Sequence, residues 1–178
     1  MQGGSKRRLF GRKELSDNFV YKLMKALIGT AILFLLLGLA LSPCTRAYAE
    51  SCETVVRAVN ARLSAKVDQQ ELIEMLRSLN SSNNRKLPPK FVTKQEARSK
   101  GWKPGKDLWS VGALSGFSIG GDRFKNLEGR LPDKKWREAD LDYKGGRRGG
   151  KRLLFSRDGQ RFVTVNHYQT FVEVPACR

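Results

Sequence analysis

The chain has 178 residues with 34 Lys and Arg against 17 Asp and Glu, a formal net charge of +17 and a sequence pI near 10.3. That length accommodates one domain plus a terminal segment. So large a basic excess argues against a neutral soluble scaffold and for an anionic partner: nucleic acid, an acidic surface or anionic lipid.

Residues 1–49 read as a targeting segment. Lys6, Arg7, Arg8, Arg12, Lys13, Lys22 and Lys25 form a basic stretch, residues 26–41 carry no charge, and Ala47-Tyr48-Ala49 supplies an A-x-A cleavage site. The apolar run is short for a spanning helix, which needs about 20 residues. The reading is a signal peptide cleaved after Ala49, with an uncleaved membrane anchor as the alternative. Removing its eight Lys and Arg and two Asp and Glu leaves 26 against 15, so the exported chain is still +11. Two of the three cysteines remain, Cys52 and Cys177, at opposite ends of a chain bound for an oxidising compartment. They are candidates for a disulfide; two free thiols are the alternative. Without nearby histidines they make no metal-ligand set.

In residues 50–84 the apolar residues Val55, Val59, Leu63, Leu72, Leu76 and Leu79 recur at helical spacing, interrupted near Lys66-Val67-Asp68. This predicts two helices in an N-terminal extension closed by a linker at Asn80-Ser81-Ser82-Asn83-Asn84, with the principal domain at 85–178. Thr93-Lys94-Gln95-Glu96 is a capping box opening a short helix that ends at Gly101. A further short helix is expected over 107–114, followed by a glycine-rich stretch without helical periodicity. Residues 136–143, 151–156, 160–166 and 168–174 read as strands. Asp158-Gly159 is a hairpin signal, and Gly145-Gly146-Arg147-Arg148-Gly149-Gly150 is a loop. Helices first and strands after predict an α+β fold, with the N-terminal helices packed on one face of a twisted antiparallel sheet and the other face open to solvent.

On strand 136–143 the period of two puts Trp136, Glu138 and Asp140 on one face. Antiparallel pairing across the glycine-rich loop brings Arg152 near Glu138, with Arg148 reaching in. Glu138 is then either part of an ion-pair cluster or a base kept ionised by cations that also grip a phosphate. His167 is the only histidine of the chain. A lone histidine is usually structural, but it is also the natural general acid near neutral pH. There is no second histidine and no close carboxylate cluster for a two-metal site. Phosphodiester cleavage without a metal or other cofactor needs an internal nucleophile, and RNA carries one in its 2′-hydroxyl. Such chemistry needs a base, an acid and cations for the phosphorane. Glu138, His167 and the set Lys94, Arg148 and Arg152 supply them.

These residues lie in segments that resemble the barnase and binase type of microbial guanyl-preferring ribonuclease. The matching runs are Thr93-Lys94-Gln95-Glu96-Ala97, Gly101-Trp102, Ser118-Ile119-Gly120-Gly121-Asp122, Phe124-Lys125-Asn126-Leu127-Glu128-Gly129-Arg130-Leu131-Pro132, Trp136-Arg137-Glu138-Ala139-Asp140 and His167-Tyr168-Gln169-Thr170-Phe171, in family order. The resemblance implies the microbial ribonuclease fold and a secreted monomeric endoribonuclease acting on single-stranded RNA. Glu138 would be general base and His167 general acid. Lys94, Arg148 and Arg152 would stabilise the phosphorane and Tyr168 would position the phosphate. Glu128 would bind the guanine N1–H and N2–H₂ edge, with backbone groups around Asn126 and Leu127 on O6 and Phe124 beside them. Products would pass through a 2′,3′-cyclic phosphate to a 3′-phosphate. An acidic inhibitor of the barstar type is the expected protein partner.

Three positions depart from the family pattern. Leu127 stands where the family has arginine, Arg147 replaces an aromatic residue and Lys151 an acid. The last two are expected to add positive charge at the mouth of the site. A basic nucleic-acid-binding module without catalysis is the competing reading; it makes Glu138 and His167 parts of an ion-pair network.

Overall fold

The computed structural model describes residues 19–25 and 49–178. Residues 19–25 are helical. Apart from Ala49, the rest of the expected leader, including the apolar run at 26–41, lies outside the described residues. Among the described residues no helix is long and apolar enough to cross a membrane.

From residue 49 onward the chain belongs to one compact unit. Helix α1 spans Cys52–Arg62 and α2 spans Gln69–Ser81. Their boundaries come from capping: Ser51 Oγ accepts from Thr54 N–H at 3.2 Å, and Asp68 Oδ1 from Glu71 N–H at 3.0 Å. The expected break near Lys66-Val67-Asp68 is therefore the N-cap of α2. The expected linker at 80–84 is instead partly built into the fold. Asn80 donates to the Cys177 carbonyl at 2.9 Å and accepts from the Arg161 guanidinium at 2.8 Å, which Asn84 also receives.

Strand β1 (Phe91–Val92) leads into helix α3 (Lys94–Ser99), where both arms of the Thr93–Glu96 capping box form. The helix expected at 107–114 is two 3₁₀ turns, Leu108–Ser110 and Gly112–Leu114, broken at Val111. Strands β2 (Ser118–Phe124), β3 (Trp136–Asp140), β4 (Arg152–Ser156), β5 (Arg161–Thr164) and β6 (Val172–Glu173) complete a six-stranded sheet in sequence order. The sheet is mixed rather than purely antiparallel, because β1 runs parallel to β2 across a crossover through α3.

Strand β2 was hidden in the sequence by its glycines. A β-carbon on Gly120 would meet Phe91 Cδ1 at 2.7 Å and Ala139 Cβ at 3.0 Å, so the close packing of neighbours requires glycine there. Gly121, at φ +92°, is the extra residue of a bulge opposite β3.

The main core lies between α1, α2 and one sheet face. Val56, Val59, Leu72, Leu76 and Leu79 meet Ala139, Leu153, Phe155 and Val163, and the Cys52–Cys177 disulfide closes the cluster. Residues 52–81 thus supply a large share of the core. The other sheet face, expected to be open to solvent, is not bare. Leu131, Trp136 and Leu154 are buried there under Phe124, Phe162, Tyr168 and Phe171. Burial of this second apolar layer gives the site a rigid floor.

Candidate active site

Strand parity puts Glu138 and Asp140 on the face away from the helices. Asp140 lies opposite Arg152 and Glu138 opposite Leu154. The direct cross-strand partner of Arg152 is thus Asp140, while its charge still acts on Glu138 as expected. Asp140 takes both guanidinium groups: Arg148 Nε and Nη2 reach its carboxylate at 2.5 and 2.6 Å, and Arg152 Nε lies 2.9 Å from Oδ1. Arg152 is further fixed through Nη1, which donates to the carbonyls of Gly149 and Lys151. Asp140 is itself buried, so this is a low-dielectric ion cluster holding two cations at one edge of the site.

Glu138 is left with different partners. Lys94 Nζ donates to Oε1 at 2.7 Å and the Tyr168 hydroxyl to Oε2 at 2.6 Å. Only 7% of Glu138 is exposed. Burial alone would raise its pKa, but the two hydrogen bonds and the charges of Lys94 and Arg152 outweigh burial, and the carboxyl titrates below its ordinary range. Burial, together with the same contact, pushes the Tyr168 phenol up, so it remains a donor. Lys94 is aimed from the first turn of α3, whose N-terminal N–H is held by Asp122 Oδ2 at 2.9 Å.

His167 sits on the β5–β6 loop, within a turn rather than at a strand boundary. His167 and Tyr168 both have positive φ, 53° and 66°. Two consecutive non-glycine residues in that region cost about 1–3 kcal/mol each, and their contacts offset it. His167 N–H donates to the Gly150 carbonyl at 3.2 Å, and Tyr168 N–H to Thr164 Oγ1 at 3.1 Å. Gly150 packs against the imidazole ring.

A cleft of about 400 Å³ brings Glu138, His167 and Tyr168 together with Phe124, Asn126, Leu127 and Glu128. Phe124 stacks on Tyr168 with ring centroids 5.0 Å apart. Asn126 shapes the loop: its side-chain amide donates to the Leu131 carbonyl at 2.7 Å and accepts from Leu131 N–H at 3.1 Å. Leu127 is 86% exposed at the rim of the cleft. Glu128 pairs with Arg130 at 2.7 Å. Arg130 also donates to the Gln169 carbonyl at 2.8 Å, so it ties the 126–130 loop to the His167 loop. Lys94, Arg148 and Arg152 line an adjoining cleft with Arg98, Lys106 and Arg147.

Every sequence-predicted site residue therefore falls on one side of the sheet, in one of two clefts. The exceptions are Cys52 and Cys177, whose disulfide is at the far core. Lys151 departs from expectation. Its ammonium bonds Asp142 at 2.6 Å and the Lys66 carbonyl at 2.6 Å, so its charge is neutralised away from the site mouth. Sequence reasoning missed the anchoring role of Asp140, the packing of Gly150 and the bridge made by Arg130. For Asp140 the signal was present, since it shares a strand face with Glu138.

Residues 77–175 match a family model described as ribonuclease. This chain belongs to the ribonuclease family. Ribonucleases from Heyndrickxia coagulans, Bacillus intermedius and Bacillus pumilus are each 42% identical to it over 93 residues, or 51% of this chain. The match covers 84% of the Heyndrickxia protein and 57% of each Bacillus protein. The family is the barnase and binase type that the sequence motifs resemble, and membership makes the chain an RNA-cleaving enzyme. Helix α1 and most of α2 precede the matched segment, although they build the core beneath it.

Proposed function

We propose that this ribonuclease is a secreted, guanine-preferring endonuclease that cleaves RNA without a metal ion. The observation that carries the reading is the shared cleft: an ionised, nearly buried Glu138 and the sole histidine line the same cavity as the 124–128 loop. Glu138 takes the proton of the 2′-hydroxyl, O2′ attacks phosphorus, and His167 donates a proton to the departing 5′-oxygen. Lys94, Arg148 and Arg152 stabilise the charge of the phosphorane, while Asp140 keeps the two arginines in place before substrate arrives. The 2′,3′-cyclic phosphate is then hydrolysed more slowly to a 3′-phosphate, with the acid and base exchanging roles. Among the described residues no group of three or more His, Cys, Asp and Glu is placed to hold a metal.

Guanine recognition falls to the 126–128 loop. The N–H groups of Leu127 and Glu128 make no hydrogen bond among the described residues and serve O6, while the Glu128 carboxylate takes the N1–H and N2–H₂ edge. Arg130 then holds Glu128 as a positioning residue. Export by a signal peptide cleaved after Ala49 fits the start of the compact unit next to that site. Single-stranded RNA is the substrate, and an acidic inhibitor protein would cover the same cationic mouth.

Dinucleotide cleavage in EDTA tests the mechanism. The wild type should cleave GpU through a cyclic phosphate and prefer it over ApU. Glu138→Ala and His167→Ala should each lose about 10²–10⁴-fold in kcat, and Glu128→Ala should abolish the GpU preference. Full activity in Glu138→Ala would overturn the mechanism. The N-terminal sequence of exported protein should start near Glu50.

A further inference from the structure

The cleft that holds Glu138 and His167 has a neighbour on the other side of β2. Arg123 lines both, and the second cleft, about 460 Å³, continues past Lys135 and Arg137. It shares Thr93, Gly121 and Arg137 with a third cleft of about 250 Å³ reaching Arg85 and Lys86. The groove is open because β1 pairs only with Ser118 and Ile119, which leaves the rest of β2 without a strand on that side.

Its charge lacks a structural explanation. Arg123 lies directly opposite Arg137 in the β2–β3 register, and like charges so placed destabilise a sheet. Among the described residues, none of Arg85, Lys86, Arg123, Lys135 and Arg137 is in an ion pair. Arg137 donates to the Gly121 carbonyl at 2.8 Å. The two carboxylates along the groove have other commitments: Asp122 holds Lys94 N–H, and Glu96 accepts from the Thr93 N–H and hydroxyl at 2.7 and 2.8 Å. Five cations, none of them in an ion pair, against two carboxylates leave an excess of three positive charges along one groove, the arrangement that a polyanion neutralises.

We propose that this groove is a second RNA-binding track, which holds phosphates on the 5′ side of the nucleotide seated in the base cleft. The inference rests on the proposed function for its polarity. The scissile phosphate and the nucleotides on its 3′ side lie toward Lys94, Arg148 and Arg152, whose cleft leads away past Arg98, Lys106 and Arg147. The preceding strand has the other exit, past Arg123.

The test compares wild type with an Arg85→Gln/Lys86→Gln/Lys135→Gln variant, whose three altered side chains are exposed and lie outside the catalytic cleft. Substrates are GpU and two RNA decamers with a single guanosine, one with it near the 3′ end and one near the 5′ end. GpU and the 3′-extended decamer should be cleaved equally by both proteins. On the 5′-extended decamer the variant should lose roughly tenfold in kcat/KM, through KM, and its salt slope should fall by about 2 for three lost phosphate contacts. Unchanged cleavage of the 5′-extended decamer, or equal losses on both decamers, overturns the track. Failure of the wild type to cleave GpU overturns the proposed function instead. The track is then judged by fluorescence anisotropy with the all-deoxy 5′-extended decamer: weaker binding by the variant upholds it, and equal binding overturns it.

Discussion

The imidazole of His167 rests against Gly150 so closely that a β-carbon there would lie 2.6 Å from Cδ2 and 2.9 Å from Nε2. Gly150 has no positive φ, so its backbone would accept alanine and only the ring would have to move. A displacement of about 1 Å in a reacting group costs on the order of a hundredfold in rate. Gly150→Ala should therefore lower kcat by roughly 10–100-fold with KM for GpU and the thermal midpoint little changed. Wild-type kcat in this variant would show that the glycine does not set the position of the acid.

The acid limb of the pH–rate profile reports Glu138 on the proposed mechanism. Its folded pKa lies below the ordinary 4.5, because hydrogen bonds and charge from Lys94, Tyr168 and Arg152 outweigh burial. The limb of kcat/KM should accordingly fall below pH 4.5. Removing Lys94 as Lys94→Met, or the phenol as Tyr168→Phe, should move it upward. The linked stability has the same sign: it is fully present above pH 4.5 and is lost as pH falls through the depressed folded value. A limb that stays in place in Lys94→Met would assign it to another group.

Asp140 should matter for stability as well as for activity. It is buried and is the shared ion-pair partner of Arg148 and the buried Arg152. Asp140→Asn leaves two cations without their counter-charge, and breaking such a pair costs about 3–5 kcal/mol. Urea unfolding should record a loss of that order, and GpU cleavage should weaken as the arginines lose their fixed geometry. A stability change below about 1 kcal/mol would mean that solvent replaces the carboxylate.

The Cys52–Cys177 disulfide spans a sequence separation of 125 and joins α1 to the segment after β6. Backbone hydrogen bonds flank it, from Cys52 N–H to the Arg178 carbonyl and from Arg178 N–H to the Glu50 carbonyl. Chain-entropy arguments give about 4–5 kcal/mol for so long a loop. Cys52→Ala/Cys177→Ala should lower urea stability by roughly 2–5 kcal/mol, and wild type in reductant should approach the same value. Equal midpoints with and without the bond would place its value elsewhere.

Helix positions in this protein were readable because their causes are local. The Thr93–Glu96 capping box acts within four residues, and the apolar spacing of Val55 to Leu79 reflects one helical face meeting a core. The strand face of Glu138 and Asp140 was readable for a similar reason, since parity along a strand needs no partner. Register was not. Whether Arg152 faces Glu138 or Asp140 depends on the loop geometry between β3 and β4, and a shift of two residues leaves every side chain on its expected face.

Glu138 and His167 were the two residues that the sequence singled out by themselves, one by strand parity and one by being the sole histidine. Charge and the need to stabilise a phosphorane brought in Lys94, Arg148 and Arg152, and motif resemblance added Tyr168 and the 124–128 loop. Only the tertiary structure decided which carboxylate serves the arginines, that Gly150 seats the imidazole, and that Lys151 turns away to Asp142. The same holds for β2, whose glycines look like a loop until Phe91 and Ala139 are seen to occupy the space where side chains would be. These are contacts between residues far apart in the chain, set by packing distance and by competition among charges, and no local pattern encodes them.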